Sequence, residues 1–525
     1  MGTKRRDAFF RFCRWGALCL FGFFVILLLI EFLRAPRQIG SDSFWQPVAV
    51  GSYAFGILLA LFVVPAAYFL YRSFSLSFAK SKLLYYVGIG VLTLVVFLLQ
   101  FYTVDRIYLY FQTDAMWMHI AAGSIVAGNP VAQNVLDYLA IHSQNVFLTF
   151  VFTVVMRIAL LFGVSNNYFP LLVGQSVFVC AGLILAGILF EKLLKDKLIA
   201  FFAWLVFAVY VGLSTTLTLP YTDGYSLPFI TGAALLYVMK PKKRTMRYLR
   251  SFFLGFVGVI GFRIKAQAAV VLVACFLWDF IAFVRDKDKA LLFDWLVILL
   301  GLGIGSVIAD LCIRSMGMNL SFREPLTLFH YFYMGANEGT LGMVNHEDWL
   351  FSITYDAKAD FVEGVKRILN MGLFGYIDFL SEKFALVFTM PDFGFDSAWY
   401  TTYHPVPPYD AVGWEGFFIN LFYVGGAHHA EYFEWMKSLW SIVMLLPLFS
   451  LPVLFRSRRK EELFLMTAAI GIILFVLLFE ANFRYVFSYV FVFLFLGARG
   501  LEGVADLIFA KRKEKTLGKL VTIPA

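Results

Sequence analysis

The sequence predicts an all-α polytopic membrane protein, and three observations carry that prediction. Of its 525 residues 61% are hydrophobic and only 15% are charged. The mean hydropathy is +0.77. Apolar runs long enough to cross a hydrocarbon core of roughly 30 Å recur along the chain. A water-soluble domain does not have this composition. Helices satisfy their own backbone hydrogen bonds in lipid, whereas a barrel would show short alternating segments. The formal charge of +9 lies in short loops between apolar runs, which is a topology signal and argues against a nucleic-acid partner. The five cysteines, Cys13, Cys19, Cys180, Cys275 and Cys312, lie in or beside apolar runs without metal-ligand spacing, so neither disulfides nor zinc are expected.

Taken in order, Lys4-Arg5-Arg6 with Arg11 and Arg14 places the N-terminus in the cytoplasm. The first helix, about Trp15 to Leu33, has no small-residue cleavage site and reads as an uncleaved span. The second, about Val48 to Tyr71, returns to Arg72, Lys80 and Lys82; the third, about Leu83 to Thr103, puts Asp105 and Asp114 outside. The next apolar stretch, about Asn145 to Gly163, is short and carries Arg157, which is costly in lipid. It reads as an interfacial or re-entrant helix that stays on the outer side. With that choice the basic clusters Lys192 to Lys197, Lys240 to Arg250, Arg285 to Lys289, Arg456 to Lys460 and Lys511 to Lys515 all fall on one side. The further spans are about Tyr168 to Phe190, Leu198 to Leu219, Tyr225 to Met239, Leu249 to Phe262, Ala266 to Val284, Leu291 to Ile313, Ser438 to Phe455, Leu463 to Phe479 and Tyr485 to Ala498. The total is about twelve, with both termini cytoplasmic in a cell membrane.

This divides the chain into an N-terminal two-helix segment (1–82), a transmembrane core (83–313) whose first outer loop is 104–167, an outer loop or small lid (314–437), and C-terminal helices with a basic tail (438–525). A structureless loop of the lid's length is unusual, so a partly helical fold is expected there. All seven histidines fall at or near the outer boundary. So do Asp114, Asp223, Arg263, Lys265, Glu480 and Arg484.

Asp114 heads an apolar helix and is followed by Gly128-Asn129-Pro130 and by Asp137-Tyr138-Leu139-Ala140-Ile141-His142-Ser143-Gln144-Asn145. This resembles the first outer loop of bacterial GT-C glycosyltransferases. Tyr221-Thr222-Asp223-Gly224-Tyr225, Phe262-Arg263-Ile264-Lys265-Ala266-Gln267 and Glu480-Ala481-Asn482-Phe483-Arg484-Tyr485 are similar in order and spacing, over roughly Tyr102 to Ala498. The resemblance implies a GT-C-like bundle with outer interfacial helices and a large outer loop. It also implies an inverting transfer of a sugar from a polyprenyl-phosphate donor, with Asp114 as the general base that deprotonates the acceptor.

Physical chemistry bears on each position separately. A carboxylate at a membrane boundary is partly desolvated, which is expected to raise the proton affinity of Asp114. The alternative is that Thr113 or Asp114 caps the helix; Asp105 is a competing base. Asp223 orients the acceptor, binds a cation or stabilises the base, or is simply a turn residue. Arg263, Lys265 and Arg484 suit the departing phosphate, with headgroup snorkelling as the alternative. Glu480 and Arg484 also fit an i, i+4 ion pair. His142, Gln144 and Asn145 stand where relatives often have a Tyr-Pro pair; with His330, Asp348 and Glu480 they are the expected sugar contacts. His428-His429 is no metal site by spacing. No metal is assigned, although some relatives use a divalent cation such as Mg or Mn.

An outer active site requires a membrane-borne donor, because nucleotide sugars are cytoplasmic. The expected partners are therefore a polyprenyl-phosphate-linked sugar, a glycan, teichoic acid or lipid acceptor of the cell envelope, and membrane lipids. A transporter or flippase of a polyprenyl-linked glycan is the alternative; it calls for ionisable groups near mid-membrane and repeated halves.

Overall fold

The computed structural model describes residues 3–34, 37–39, 48–50, 52–73, 82–106, 114–165, 168–391, 393, 410–423, 425–457 and 459–521. Lys80, Thr113, His404 and Arg458, each part of the sequence reading, lie outside these residues. Helix α1 (Thr3–Arg34) leads to a short antiparallel pair, β1 (Arg37–Ile39) and β2 (Val48–Val50), with Arg37 opposite Val50. The second span therefore starts later than Val48. It is built from α2 (Ala54–Leu58), a π turn and α3 (Val64–Ser73), and α4 (Lys82–Arg106) follows. Three helices come next, α5 (Asp114–Val126), α6 (Gln133–Ile141) and α7 (Val146–Leu161). The core continues through α8 (Tyr168–Leu193), α9 (Lys197–Tyr210), α10 (Thr222–Val238), α11 (Arg244–Ile264), α12 (Ala269–Asp286) and α13 (Ala290–Arg314). The long loop folds as α14 (Leu328–Gly335), α15 (His346–Thr354), α16 (Ala357–Thr389), kinked at Gly372 where φ is +65°, and α17 (Gly413–Phe422). Helices α18 (His429–Leu445), α19 (Leu451–Leu454), α20 (Lys460–Leu478) and α21 (Val490–Val521) complete the chain.

Neighbouring spans run antiparallel. Tyr85 at the start of α4 donates to the carbonyl of Gly187 late in α8, at 2.8 Å, while Val104 at the end of α4 packs on Tyr168 and Leu172 at the start of α8. Basic residues at one end of the bundle tie helix ends together; the expected cluster Lys511 to Lys515 lies outside the described side chains. Arg14 donates to the carbonyls of Phe455 and Ser457, Arg72 pairs with Asp196 and Asp506, and Arg247 grips Asp294 with bonds of 2.5 to 3.0 Å.

Among the described residues nine helices are long and apolar enough to cross a membrane. Eight coincide with expected spans. The expected spans at α9, α10, α11 and α21 fall short of that criterion. Physically they need less of it: α10 is buried along nearly its whole length and presents little surface to lipid, and α11 opens in a basic turn.

The ninth is Ser143–Leu161, which was expected to be too short to span and is not. Its contacts nevertheless hold it at one end of the bundle. Phe152 and Met156 share an apolar cluster with Met118, Leu139, Leu171, Tyr225, Ile264 and Ala309, which lie on α5 and α6, at the starts of α8 and α10, and at the ends of α11 and α13. The buried side of α7 thus packs along this end of the bundle. Val154, Arg157, Ile158 and Leu161 form its exposed side, and the guanidinium of Arg157 is not buried.

Candidate functional site

The site forms where α5 begins, α10 and the 3-10 turn before α21 begin, and α11 ends. Gln175 on α8 sets its frame. This fully buried amide donates to the carbonyls of Leu217 and Leu219 at 3.1 and 3.0 Å and accepts from Tyr221 N at 2.8 Å, which fixes Tyr221 ahead of α10. Gly224 packs so closely on Gln175 that a Cβ would overlap its side chain. Gln175 did not stand out in the sequence, because an amide in an apolar helix is common, and Tyr221 figured there only as the first residue of a motif, with no role assigned.

Asp114 is the first residue of α5 and accepts a hydrogen bond from the Tyr221 hydroxyl. Burial pushes its proton affinity up, but His142, the Tyr138 and Tyr221 hydroxyls and Arg484 outweigh burial and hold its carboxyl below the usual range. The expected rise is thus corrected: in a part-buried carboxylate the surrounding donors win over desolvation. Tyr138 stacks on His142 with centroids 4.6 Å apart and accepts from Asn145 Nδ2 at 2.8 Å. His142 Nε2 accepts from Trp349 Nε1 at 3.3 Å, and Gln144 donates to the Tyr331 hydroxyl at 2.8 Å. Burial lowers the proton affinity of His142 although Asp114 opposes it.

A second charged group adjoins the first. Asp223, in the first turn of α10, pairs with Lys265 at the α11–α12 junction; both are almost fully buried. Arg484 Nη1 lies 3.7 Å from Asp223 Oδ2, and its guanidinium sits 4.5 Å from the centre of the Tyr221 ring. Tyr221 therefore bridges the two groups, with its hydroxyl on Asp114 and its ring under Arg484. Glu480 accepts from the Tyr485 hydroxyl, and burial raises its proton affinity. The helical i, i+4 pair expected between Glu480 and Arg484 does not apply, because Phe479 and Asn482 are extended and a 3-10 turn follows.

The lid is pinned beside this junction. Lys383 donates to the carbonyls of Gly335, Leu477 and Phe479 at 2.6, 3.1 and 2.6 Å, and Ala481 N donates to the Gly342 carbonyl at 2.7 Å. Gly335 lies against the Phe479 backbone too closely for any side chain. His330 and Asp348, expected to contact substrate, instead turn into the lid. His330 is paired with Ser352 Oγ at 2.8 Å, and burial drops its pKa to about 4. Asp348 accepts from Asn337, Asn345 and Arg367. Arg263 is likewise separated from Lys265: it pairs with Asp310 on α13 at 2.7 Å. Asp105 pairs with its neighbour Arg106 at the exposed end of α4. A divalent ion needs several oxygen ligands. Among the described residues Asp223 is paired with the Lys265 ammonium and Asp114 accepts from tyrosine hydroxyls, a set that does not fit one.

No curated protein matches the sequence. A crystal structure of ArnT from Cupriavidus metallidurans bound to undecaprenyl phosphate is similar at 12% identity, covering 81% of this chain and 78% of that one with a TM-score of 0.33, a likeness too loose to bear on reaction or substrate. The family model described as conserved hypothetical integral membrane protein matches residues 9–502, and the chain belongs to that family.

Proposed function

We propose that the protein is an integral-membrane inverting glycosyltransferase of the GT-C type, moving a sugar from a polyprenyl-phosphate donor to a cell-envelope acceptor on the outer face of the membrane. The observation that carries the reading is one cluster at the end of the bundle opposite the basic loops. It holds a part-buried carboxylate, Asp114, joined through Tyr221 to Arg484, which with Lys265 flanks Asp223. Basic loops favour the cytoplasmic side, so the cluster belongs outside, where the donor has to be lipid-borne. In this reading Asp114 takes the proton of an acceptor hydroxyl as the oxygen attacks the anomeric carbon. The bond to the donor phosphate breaks with inversion, and Lys265 and Arg484 stabilise the charge that develops on the departing phosphate. Asp223 holds Lys265 in place. Arg263 is left out of the donor site.

The collection of polar groups at one end also favours a transferase over a flippase, which calls for ionisable residues near mid-membrane. The test is purified protein in vesicles with a polyprenyl-phosphate sugar and candidate glycan, teichoic acid and lipid acceptors. Asp114→Asn is expected to lose roughly 10²–10⁴-fold in kcat. Turnover by folded Asp114→Asn at the wild-type rate removes the general-base role.

A further inference from the structure

A cleft of about 440 Å³ lies in the lid, between the strap Arg323–Thr327 and the corner Ser352–Asp360 that joins α15 to α16. Ile141 lines it, and Leu326 N donates to the Ile141 carbonyl at 2.9 Å, so the cleft begins one residue from His142, which influences Asp114. Asp360 is only 2% exposed yet contributes to the lining. Its Oδ1 accepts from Ser352 Oγ at 2.7 Å, and among the described residues no hydrogen bond reaches Oδ2. Oδ2 stays open to the cleft, where a ligand hydroxyl can donate to it. Tyr355, 58% exposed, stands at the rim as a flat apolar surface. The charged lining is Glu324, Asp356 and Asp360 against Arg323, three negative charges and one positive, a formal −2.

Carboxylates that accept from hydroxyls, beside an exposed aromatic ring, are the chemistry of carbohydrate recognition. A net negative lining repels a phosphodiester chain. We infer that this cleft is an acceptor-binding subsite for a hydroxyl-rich glycan that is uncharged or carries amino groups, and that it selects against polyanionic acceptors. The inference rests on the transferase reading for the word acceptor, but binding in the cleft is measured without turnover.

The test uses the full chain in nanodiscs and follows saturation-transfer NMR and calorimetric titration with three probes: a neutral hexose oligosaccharide, an amino-hexose oligosaccharide and a glycerol-phosphate oligomer. The two sugar probes are expected to bind and the polyanion to bind at least tenfold more weakly. Glu324→Gln and Tyr355→Ala alter exposed side chains, so the fold is expected to persist. Each is expected to weaken sugar binding several-fold and the pair about tenfold, with binding of a polyprenyl phosphate unchanged. Sugar binding equal in wild type and the double variant, no sugar binding at all, or tightest binding of the polyanion would each overturn the inference. If Asp114→Asn keeps full turnover while the cleft binds sugars as stated, the transferase mechanism fails and the binding site stands.

Discussion

Replacing Lys265 by methionine tests the buried pair on which the site is built. Asp223 and Lys265 are 2% and 6% exposed, so the substitution leaves a carboxylate buried without its ammonium. Breaking one partner of such a pair costs about 3–5 kcal/mol. Arg484, 3.7 Å from Asp223 Oδ2, offsets part of this, so the lower end, about 3 kcal/mol, is expected for Lys265→Met. Asp223→Asn/Lys265→Met removes both charges and is expected to recover most of that loss, because a neutral pair needs no compensation. Unfolding of the purified protein in mild detergent, followed by titration with a denaturing detergent, reads both. Activity separates structure from chemistry: the double variant is expected to be folded but inactive, since the proposed mechanism needs the Lys265 ammonium at the departing phosphate. A single variant within about 0.5 kcal/mol of wild type, or a double variant no more stable than the single, would refute the reasoning.

Three further outcomes are expected. In Tyr221→Phe, Asp114 loses a donor that favours its ionised form, so its proton affinity rises and the acid limb of kcat/KM moves to higher pH; a limb that stays in place counts against the Tyr221 contact. The folded-state pKa of His330 is about 4, below its ordinary 6.5, so the unfolded chain binds more protons between those values. Stability of the lid therefore falls as pH drops from about 6.5 through 4, and His330→Gln flattens that slope in hydrogen-exchange measurements. In a cysteine-free background Asn129→Cys is expected to label from outside and Lys195→Cys only after permeabilisation; the reverse pattern inverts the topology and ends the proposed mechanism.

Membrane class and the positions of eight of the twelve expected spans were legible in the chain, because the hydrocarbon core imposes a length and an apolarity that single residues cannot disguise. The grouping of basic loops was legible for the same reason: Arg14, Arg72, Lys82 and Arg247 do meet at one end. The stretch that became α7 read as too short to span, yet as a helix it is long and apolar enough to cross, because it begins at Ser143 and carries its one charge, Arg157, on the exposed side. Asp114, Asp223, Lys265, Arg484 and Glu480 could be selected from their places at helix ends. Sequence could not say which of them touch.

Only the tertiary structure decided that Lys265 turns to Asp223 while Arg263, two residues away, turns to Asp310. The cause is local: helix α11 ends at Ile264, and Lys265 leaves it in extended backbone, so the two side chains project in different directions. The same holds for His330 and Asp348, whose polarity suggested substrate contacts until the lid folded around them and supplied Ser352, Asn337, Asn345 and Arg367 as partners. It holds most of all for Asp114. Burial alone raises a carboxyl's proton affinity, and a sequence reports only the burial; the donors that reverse it come from α6, from the turn before α10 and from Arg484, brought together by packing across hundreds of residues.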